Sequence, residues 1–275
     1  MKILVIGIDS LEYNLVEKYN LKNLKQFKYT KIKVPINKEL NKPTTPSVWA
    51  SFLTGKNINC RFGYENKFLK LFDFLFKIRK KITNSSFGIG SLIISLFKKL
   101  NKPAIKTFPK LKEKTFLDAT NSDYCNIPFY DYSEEYKKIV ILLNQTFIEN
   151  KLTREQLKKE LAEIFENNKK KIINKVKGNK SKLFFCYTHF LDLIQHSFFD
   201  EKEFIKNCYK QADLFVAELK KLSKADMIII ISDHGQKNGM HTNYGFCSIN
   251  KNLNIPKNIT QFNDFFLSYL NKQKT

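Results

Sequence analysis

Two apolar runs that close on acids limit what this chain can fold into. Residues 2 to 9, Lys2-Ile-Leu-Val-Ile-Gly-Ile-Asp9, carry almost no polar break, and Met227-Ile-Ile-Ile-Ile-Ser-Asp233-His234 repeats the form. A strand with one wet face alternates apolar and polar residues. An unalternated run rich in β-branched residues reads instead as a strand buried on both faces, the habit of a mostly parallel α/β sheet. Leu183-Phe-Phe-Cys-Tyr-Thr-His-Phe190 is a third such run. Ligands of these sheets bind beyond the carboxyl ends of the strands. Asp9, Asp233 and His234 are therefore expected in one crevice, with Asp192 and His196 delivered just past the third run.

The four histidines, His189, His196, His234 and His241, all fall between residues 189 and 241, close to Asp192 and Asp233. Imidazole and carboxylate suit zinc and similar divalent ions, and Asp192-x-x-x-His196 sets both groups on one face of a helical turn. A single Asp–His pair is commonly a satisfied buried contact; two clusters favour a metal site. Lys42-Pro-Thr44-Thr45-Pro46 then reads as a turn feeding a helix from about Ser47 to Leu53 that ends on Gly55. A hydroxyl at a helix N-terminus faces unpaired N–H groups, which favour an alkoxide and a phosphate there. N-capping is the plainer use of such a threonine.

Six motifs in order carry a resemblance: Gly7-Ile-Asp9, Thr45-x-Pro-x-x-Trp-x-Ser-Phe-x-Thr-Gly55, Gly63-Tyr-Glu-Asn66, Phe190-x-Asp192-x-x-x-His196, Ser232-Asp-His-Gly235 and Gly239-x-His241-x-x-x-Gly245-Phe. The chain resembles the alkaline phosphatase superfamily, in its type I phosphodiesterase/nucleotide pyrophosphatase branch. That resemblance implies an α/β three-layer sandwich with a mostly parallel central sheet. It also implies a metal-dependent phosphodiesterase with two divalent ions, typically zinc, with manganese or iron as alternatives. Asp192, His196 and His241 would hold the first ion; Asp9, Asp233, His234 and the oxygen of Thr45 would hold the second. Thr45 would be the nucleophile, forming a phospho-threonine, and the Asn66 amide would donate to a non-bridging oxygen of the substrate.

Two features depart from the family pattern. Thr44 and Thr45 are adjacent: counting back from Gly55 and Asn66 selects Thr45, whereas a Thr-x-Pro rule from Pro46 selects Thr44. Thr45 agrees with two landmarks and is preferred. Ile58-Asn-Cys-Arg-Phe62-Gly63 lacks the Pro and His that commonly follow Thr-Gly in the family. Of the three arginines, at 61, 79 and 154, only Arg61 lies near a motif. A dianionic monoester calls for more cationic partners than that, so an anionic phosphodiester is the expected substrate. A phosphomonoesterase or phosphonate hydrolase is the alternative within the fold. The rival from another class is a non-catalytic membrane- or nucleic-acid-binding protein with a structural metal site.

Residues 1–275 are expected to form a single catalytic domain, since 43% apolar residues suffice for a full core and no Gly/Ser/Pro-rich linker interrupts them. Residues 67–114 stand out within it: thirteen Lys or Arg against two acids put +11 of the net +22 there. Two apolar segments in that stretch have helical periodicity. The uncharged run from Ile82 to Phe97 is sixteen residues, short of the ~20 that span a bilayer. The expectation is a basic amphipathic cap that selects an anionic substrate or rests peripherally on an anionic membrane; the plainer reading is a helical subdomain with solvated lysines. No specific nucleic-acid motif is present. A cleaved leader would remove Asp9, and the odd, scattered Cys60, Cys125, Cys186, Cys208 and Cys247 suit reduced thiols, so a cytoplasmic protein is expected. Helices are expected over 133–150, 153–177, 203–222 and 260–271.

Overall fold

The computed structural model describes residues 2–38, 40–60, 111–131, 133–147 and 149–272. Arg61, Asn66 and most of the basic 67–114 segment lie outside these residues. By its internal contacts the chain divides into two units. One comprises Met1–Cys60, Phe108–Ser133 and Leu161–Thr275; the other comprises Arg61–Thr107 and Glu134–Glu160.

The first unit is built on the expected strands. β1 (Ile3–Ile8) pairs in parallel with both β4 (Leu183–Thr188) and β5 (Met227–Ile231), and every residue of the three is buried. β3 (Ser122–Cys125) extends the parallel set beyond β4. On the other side β8 (Tyr244–Ile249) runs antiparallel to β5, and β2 (Lys28–Lys33) antiparallel to β8. The sheet order is thus β2-β8-β5-β1-β4-β3. β1 lies between β4 and β5, so the crossovers to either side reverse at β1. A crevice opens at that switch point, beyond the carboxyl ends of the three strands.

Helices cover the sheet for a reason visible in β4. Its side chains alternate between faces, yet Phe184 and Cys186 are as buried as Phe185 and Tyr187. On the Phe185 side lie α3 (Thr45–Thr54), α4 (Phe116–Ala119) and, after a short 3₁₀ turn, the C-terminal helix Phe262–Asn271. Trp49 meets Tyr187 edge-on at 5.3 Å, and Phe52 touches Phe185, Phe116, Phe262 and Phe266. Such ring pairs add roughly 0.5–1.5 kcal/mol each beyond their buried area. Gly7 permits this approach: a Cβ there would lie 3.0 Å from both Trp49 and Phe185.

The second helical group contains α1 (Tyr13–Lys18), α2 (Lys22–Lys25), α7 (Phe190–Ser197) and α8 (Lys202–Ser223). Residues 161–178 of α6 (Arg154–Gly178) join it, with Phe165 stacked on Phe190 at 4.1 Å and edge-on to Phe215. The C-terminal helix is α9. The result is the α/β three-layer arrangement expected of the sequence. Four of the five cysteines are buried within it as small apolar side chains, and all five are free thiols.

The second unit contributes α5 (Ser133–Phe147) and the first turns of α6. The capping box expected at Thr153 forms: Thr153 N donates to Gln156 Oε1 at 2.8 Å, and Gln156 N donates to Thr153 Oγ1 at 3.2 Å. No helix among the described residues is long and apolar enough to cross a membrane.

Candidate metal centre and nucleophile

Three of the candidate ligands follow the ends of fully buried strands. Asp9 follows β1, and Asp233 and His234 follow β5. Asp192 and His196 occupy the one-sided turns of α7, which begins two residues beyond β4. His241 sits on a hairpin of β6 (Gln236–Lys237) and β7 (Met240–His241), in which Gln236 pairs with His241. The two-residue turn between them is Asn238-Gly239, with φ of 52° and 75°. Positive φ at both central positions is what a twisted two-stranded ribbon asks of its turn, and Asn-Gly supplies it with least strain.

These side chains converge in two groups of candidate metal ligands, Asp9–Asp233–His234 and Asp192–His234–His241, with His234 common to both. His196 joins the second group, its Nε2 3.0 Å from His241 Nε2 and 3.2 Å from Asp192 Oδ1. The rings of His234 and His241 stack at 3.7 Å. His189 stands apart: it caps α7, is buried near Tyr187, and burial lowers its pKa to about 3. The fold brings together the three histidines expected as ligands, His196, His234 and His241.

Hydrogen-bond partners show which nitrogens could ligate. His241 Nδ1 lies 3.0 Å from the carbonyl oxygen of Pro43, which can only accept, so Nδ1 carries the proton and the Nε2 lone pair faces Asp192 and His196. His234 Nδ1 likewise faces Gly235 O and Ser10 Oγ, leaving Nε2 toward Asp233 Oδ2 at 3.2 Å and Asp9 Oδ1 at 3.6 Å. A lone pair aimed at carboxylate oxygens is repulsive unless a cation lies between them. Among the described residues no hydrogen-bond donor is aimed at Asp9 Oδ1 or Asp233 Oδ2, although both are buried. Orphaned buried carboxylate oxygens are costly in a folded chain. The residues therefore fit divalent ions.

The electrostatics point the same way. Burial first, then the charges of Asp233 and Asp192, hold the Asp9 carboxyl well above the usual range. Burial also pushes Asp233 up to about 7. For Asp192 burial acts upward as well, but His196, His241 and His234 outweigh it and hold this carboxyl below the usual range. Burial lowers His234 to about 4 and holds His241 well below the usual imidazole range, so both imidazoles are neutral and ligand-competent near neutral pH.

Thr45 faces this centre. It is the first residue of α3, and its Oγ1 lies 3.3 Å from His234 Nε2 and 3.5 Å from Asp9 Oδ2. Thr44 precedes the helix, and its hydroxyl donates to Ser47 Oγ at 2.9 Å. Neither threonine side chain caps the helix in the plain sense. Pro46 follows at a position where a missing N–H costs nothing, and Gly55, at φ 72°, closes the helix as expected. Asn66 lies outside the described residues.

Several neighbours escaped sequence reading. Tyr187 donates a hydrogen bond to Asp9 Oδ2, which leaves Oδ1 open. Ser10, at φ 56°, contacts Asp192, Asp233 and His234. Buried Glu12 accepts from Tyr244 Oη at 2.7 Å and Thr242 Oγ1 at 3.4 Å, tying the segment after β1 to the chain after His241. The adjacency of Ser10 and Glu12 to Asp9 was the only signal available for them.

Among solved structures the chain is similar to murine ectonucleotide pyrophosphatase/phosphodiesterase 5 (17% identity, TM-score 0.46, covering 86% of this chain and 57% of that one). It is similar also to an inactive variant of that murine protein in complex with AMP (14%, 0.44, 86% and 57%) and to the human counterpart (15%, 0.46, 86% and 57%). The chain thus spans 57% of the length of these structures. No curated protein sequence matches it. The family model for type I phosphodiesterase/nucleotide pyrophosphatase matches residues 3–250, nearly the whole sheet and every candidate ligand, and the chain belongs to that family.

Proposed function

We propose that this protein is a metal-dependent hydrolase of phosphodiesters, nucleotide-containing ones foremost, that works through Thr45 and two divalent ions. The observation that carries the reading is the convergence of Asp9, Asp192, Asp233, His234 and His241 beside the Thr45 hydroxyl at the strand ends. Asp9, Asp233, His234 and Thr45 would hold one ion, and Asp192, His196 and His241 the other, zinc being the first candidate and manganese or iron alternatives. When bound, such ions act as Lewis acids that lower the pKa of a ligated hydroxyl and offset charge on phosphoryl oxygens.

The protein's own residues do the rest. Thr45 Oγ1 gives its proton to solvent and bonds to phosphorus as the P–O bond to the leaving group breaks, the leaving oxygen taking the electron pair. Water then attacks the phospho-threonine, the P–Oγ1 bond breaks, and a proton returns to Thr45. Tyr187 keeps Asp9 turned so that one oxygen stays open, and the Pro43 carbonyl keeps His241 in its ligating tautomer. The Asn66 amide would donate to a non-bridging oxygen. The basic 67–114 segment would act as an anion-facing cap, able to rest on an anionic membrane. A cytoplasmic setting belongs to the same proposal, in keeping with the scattered thiols.

Hydrolysis of bis-p-nitrophenyl phosphate beside p-nitrophenyl phosphate by zinc- or manganese-loaded protein tests the reading. Metal-dependent turnover that prefers the diester and is lost in Thr45→Ala is expected. Preference for the monoester would reassign the enzyme as a phosphatase. Absence of turnover with ions bound would favour a binding protein with a structural metal site.

A further inference from the structure

Ser10 occupies a conformation that its residue type disfavours. At φ 56° it is in the left-handed region, where a Cβ strains the backbone and glycine is the ordinary occupant. The strain is held in place from behind. Gln195 Nε2 donates to the Ser10 carbonyl at 2.8 Å, and the Tyr209 hydroxyl, 3.2 Å from Gln195 Oε1, reaches the same carbonyl at 3.4 Å. A strained residue so firmly buttressed invites a functional explanation.

Its side chain supplies one. Ser10 is fully buried, and Oγ lies 2.6 Å from Asp192 Oδ1 and 3.0 Å from His234 Nδ1. The carboxylate can only accept, so the Ser10 hydroxyl donates to Asp192. The remaining lone pairs of Oγ then accept from His234 Nδ1–H, the tautomer that leaves Nε2 ready to ligate. The chain of bonds runs one way, from imidazole through hydroxyl to carboxylate, and in the two-ion reading its two ends serve different ions.

We propose that Ser10 is a positioning residue that couples the two ion sites. It fixes the rotamer of Asp192 in one and makes His234 a better donor in the other, in the manner of partners that orient metal ligands without touching the metal. This rests on the two-ion reading above.

Zinc titration of the metal-free full chain, read by competition with a chromophoric chelator, tests the proposal in the wild type, Ser10→Ala and Ser10→Gly. Alanine keeps the backbone strain and removes the hydroxyl; glycine removes both and is the variant most compatible with the local fold. Both variants are expected to lose affinity together, about tenfold, and at both ions. Wild-type affinity in both variants would overturn the proposal. So would recovery in Ser10→Gly alone, which would assign the effect to backbone strain, or a loss confined to one ion, which would leave no coupling. Failure of the wild type to bind zinc, manganese or iron would instead overturn the two-ion reading.

Discussion

The two groups of candidate metal ligands share a histidine but rest on different scaffolds. Asp9, Asp233 and His234 leave the ends of adjacent strands, and their side chains are 3%, 0% and 0% exposed. Asp192, His196 and His241 come from a helix and a hairpin and keep 18%, 31% and 13%. In the buried group, burial and like charge raise both carboxyls. In the open group, His196 and His241, with His234 from the buried one, hold Asp192 down. The buried group thus brings together two carboxyls whose ionised forms call for a cation, whereas the open group sets a single carboxyl among imidazoles. An ion should contribute more to the stability of the first than of the second.

Thr45, the proposed nucleophile, sits against the buried group, so the largest effect is expected there. Thr45→Ala should lower diesterase turnover by at least ~10³-fold, with Thr44→Ala near wild type, since losing a covalent nucleophile commonly costs that much or more. Steady-state kinetics on the same metal-loaded preparations decides it, and loss in Thr44→Ala alone would detach the chemistry from the buried group.

Ion occupancy comes next. Asp233→Asn should remove one zinc of about two per chain, whereas His196→Ala should weaken binding while leaving most of the occupancy at saturating zinc. Elemental analysis after dialysis gives the counts, and equal losses would erase the distinction between the groups. Ion removal from the wild type should lower stability by about 4 kcal/mol when free zinc was at a thousandfold its Kd, as seen in urea unfolding with and without chelator. Asp233→Asn should show the smaller chelator effect.

The packing around the groups is testable at two glycines. A Cβ at Gly245 would lie 2.2 Å from the Ser232 carbonyl, backbone that cannot step aside just before Asp233. A Cβ at Gly235 would meet the Glu12 carboxylate at 2.2 Å and Thr242 Oγ1 at 2.6 Å, side chains that can partly yield. Gly245→Ala should therefore destabilise more than Gly235→Ala, in the range of ~1–3 kcal/mol or above for overpacking, measured by urea midpoints. The smallest effect is expected far from both groups, at the end of α8. Lys224 there has φ 49°, so Lys224→Gly should stabilise by no more than about 1 kcal/mol and leave zinc affinity unchanged.

The parallel core was legible because burial on both faces leaves a strong mark: Val5, Phe184 and Ile229 stand in runs with no polar alternation. The ligand types were legible because metals demand His and carboxylate, and strand ends are where an open sheet exposes them. The helix ends were legible where capping chemistry is local, as at Thr153 and Gly55. β2 and β3 were not, since their short, half-polar segments gain strand geometry from pairing with β8 and β4. Asn238-Gly239 carried a local hairpin signal that went unread.

Ser10, Glu12 and Tyr187 belong to another category. Their partners lie about 180 to 230 residues away in the chain, so no spacing rule reveals them. The two threonines differ: spacing from Gly55 and Asn66 already preferred Thr45, and the start of α3 turns Thr45 toward Asp9 and His234 and Thr44 toward Ser47. Residue chemistry and periodicity are properties of short segments, and they were enough to specify a parallel α/β core with acids and histidines at its carboxyl edge. Bringing those residues together into two candidate groups that share His234, with Ser10 beside them, required strands from both ends of the chain to pair in register around β1.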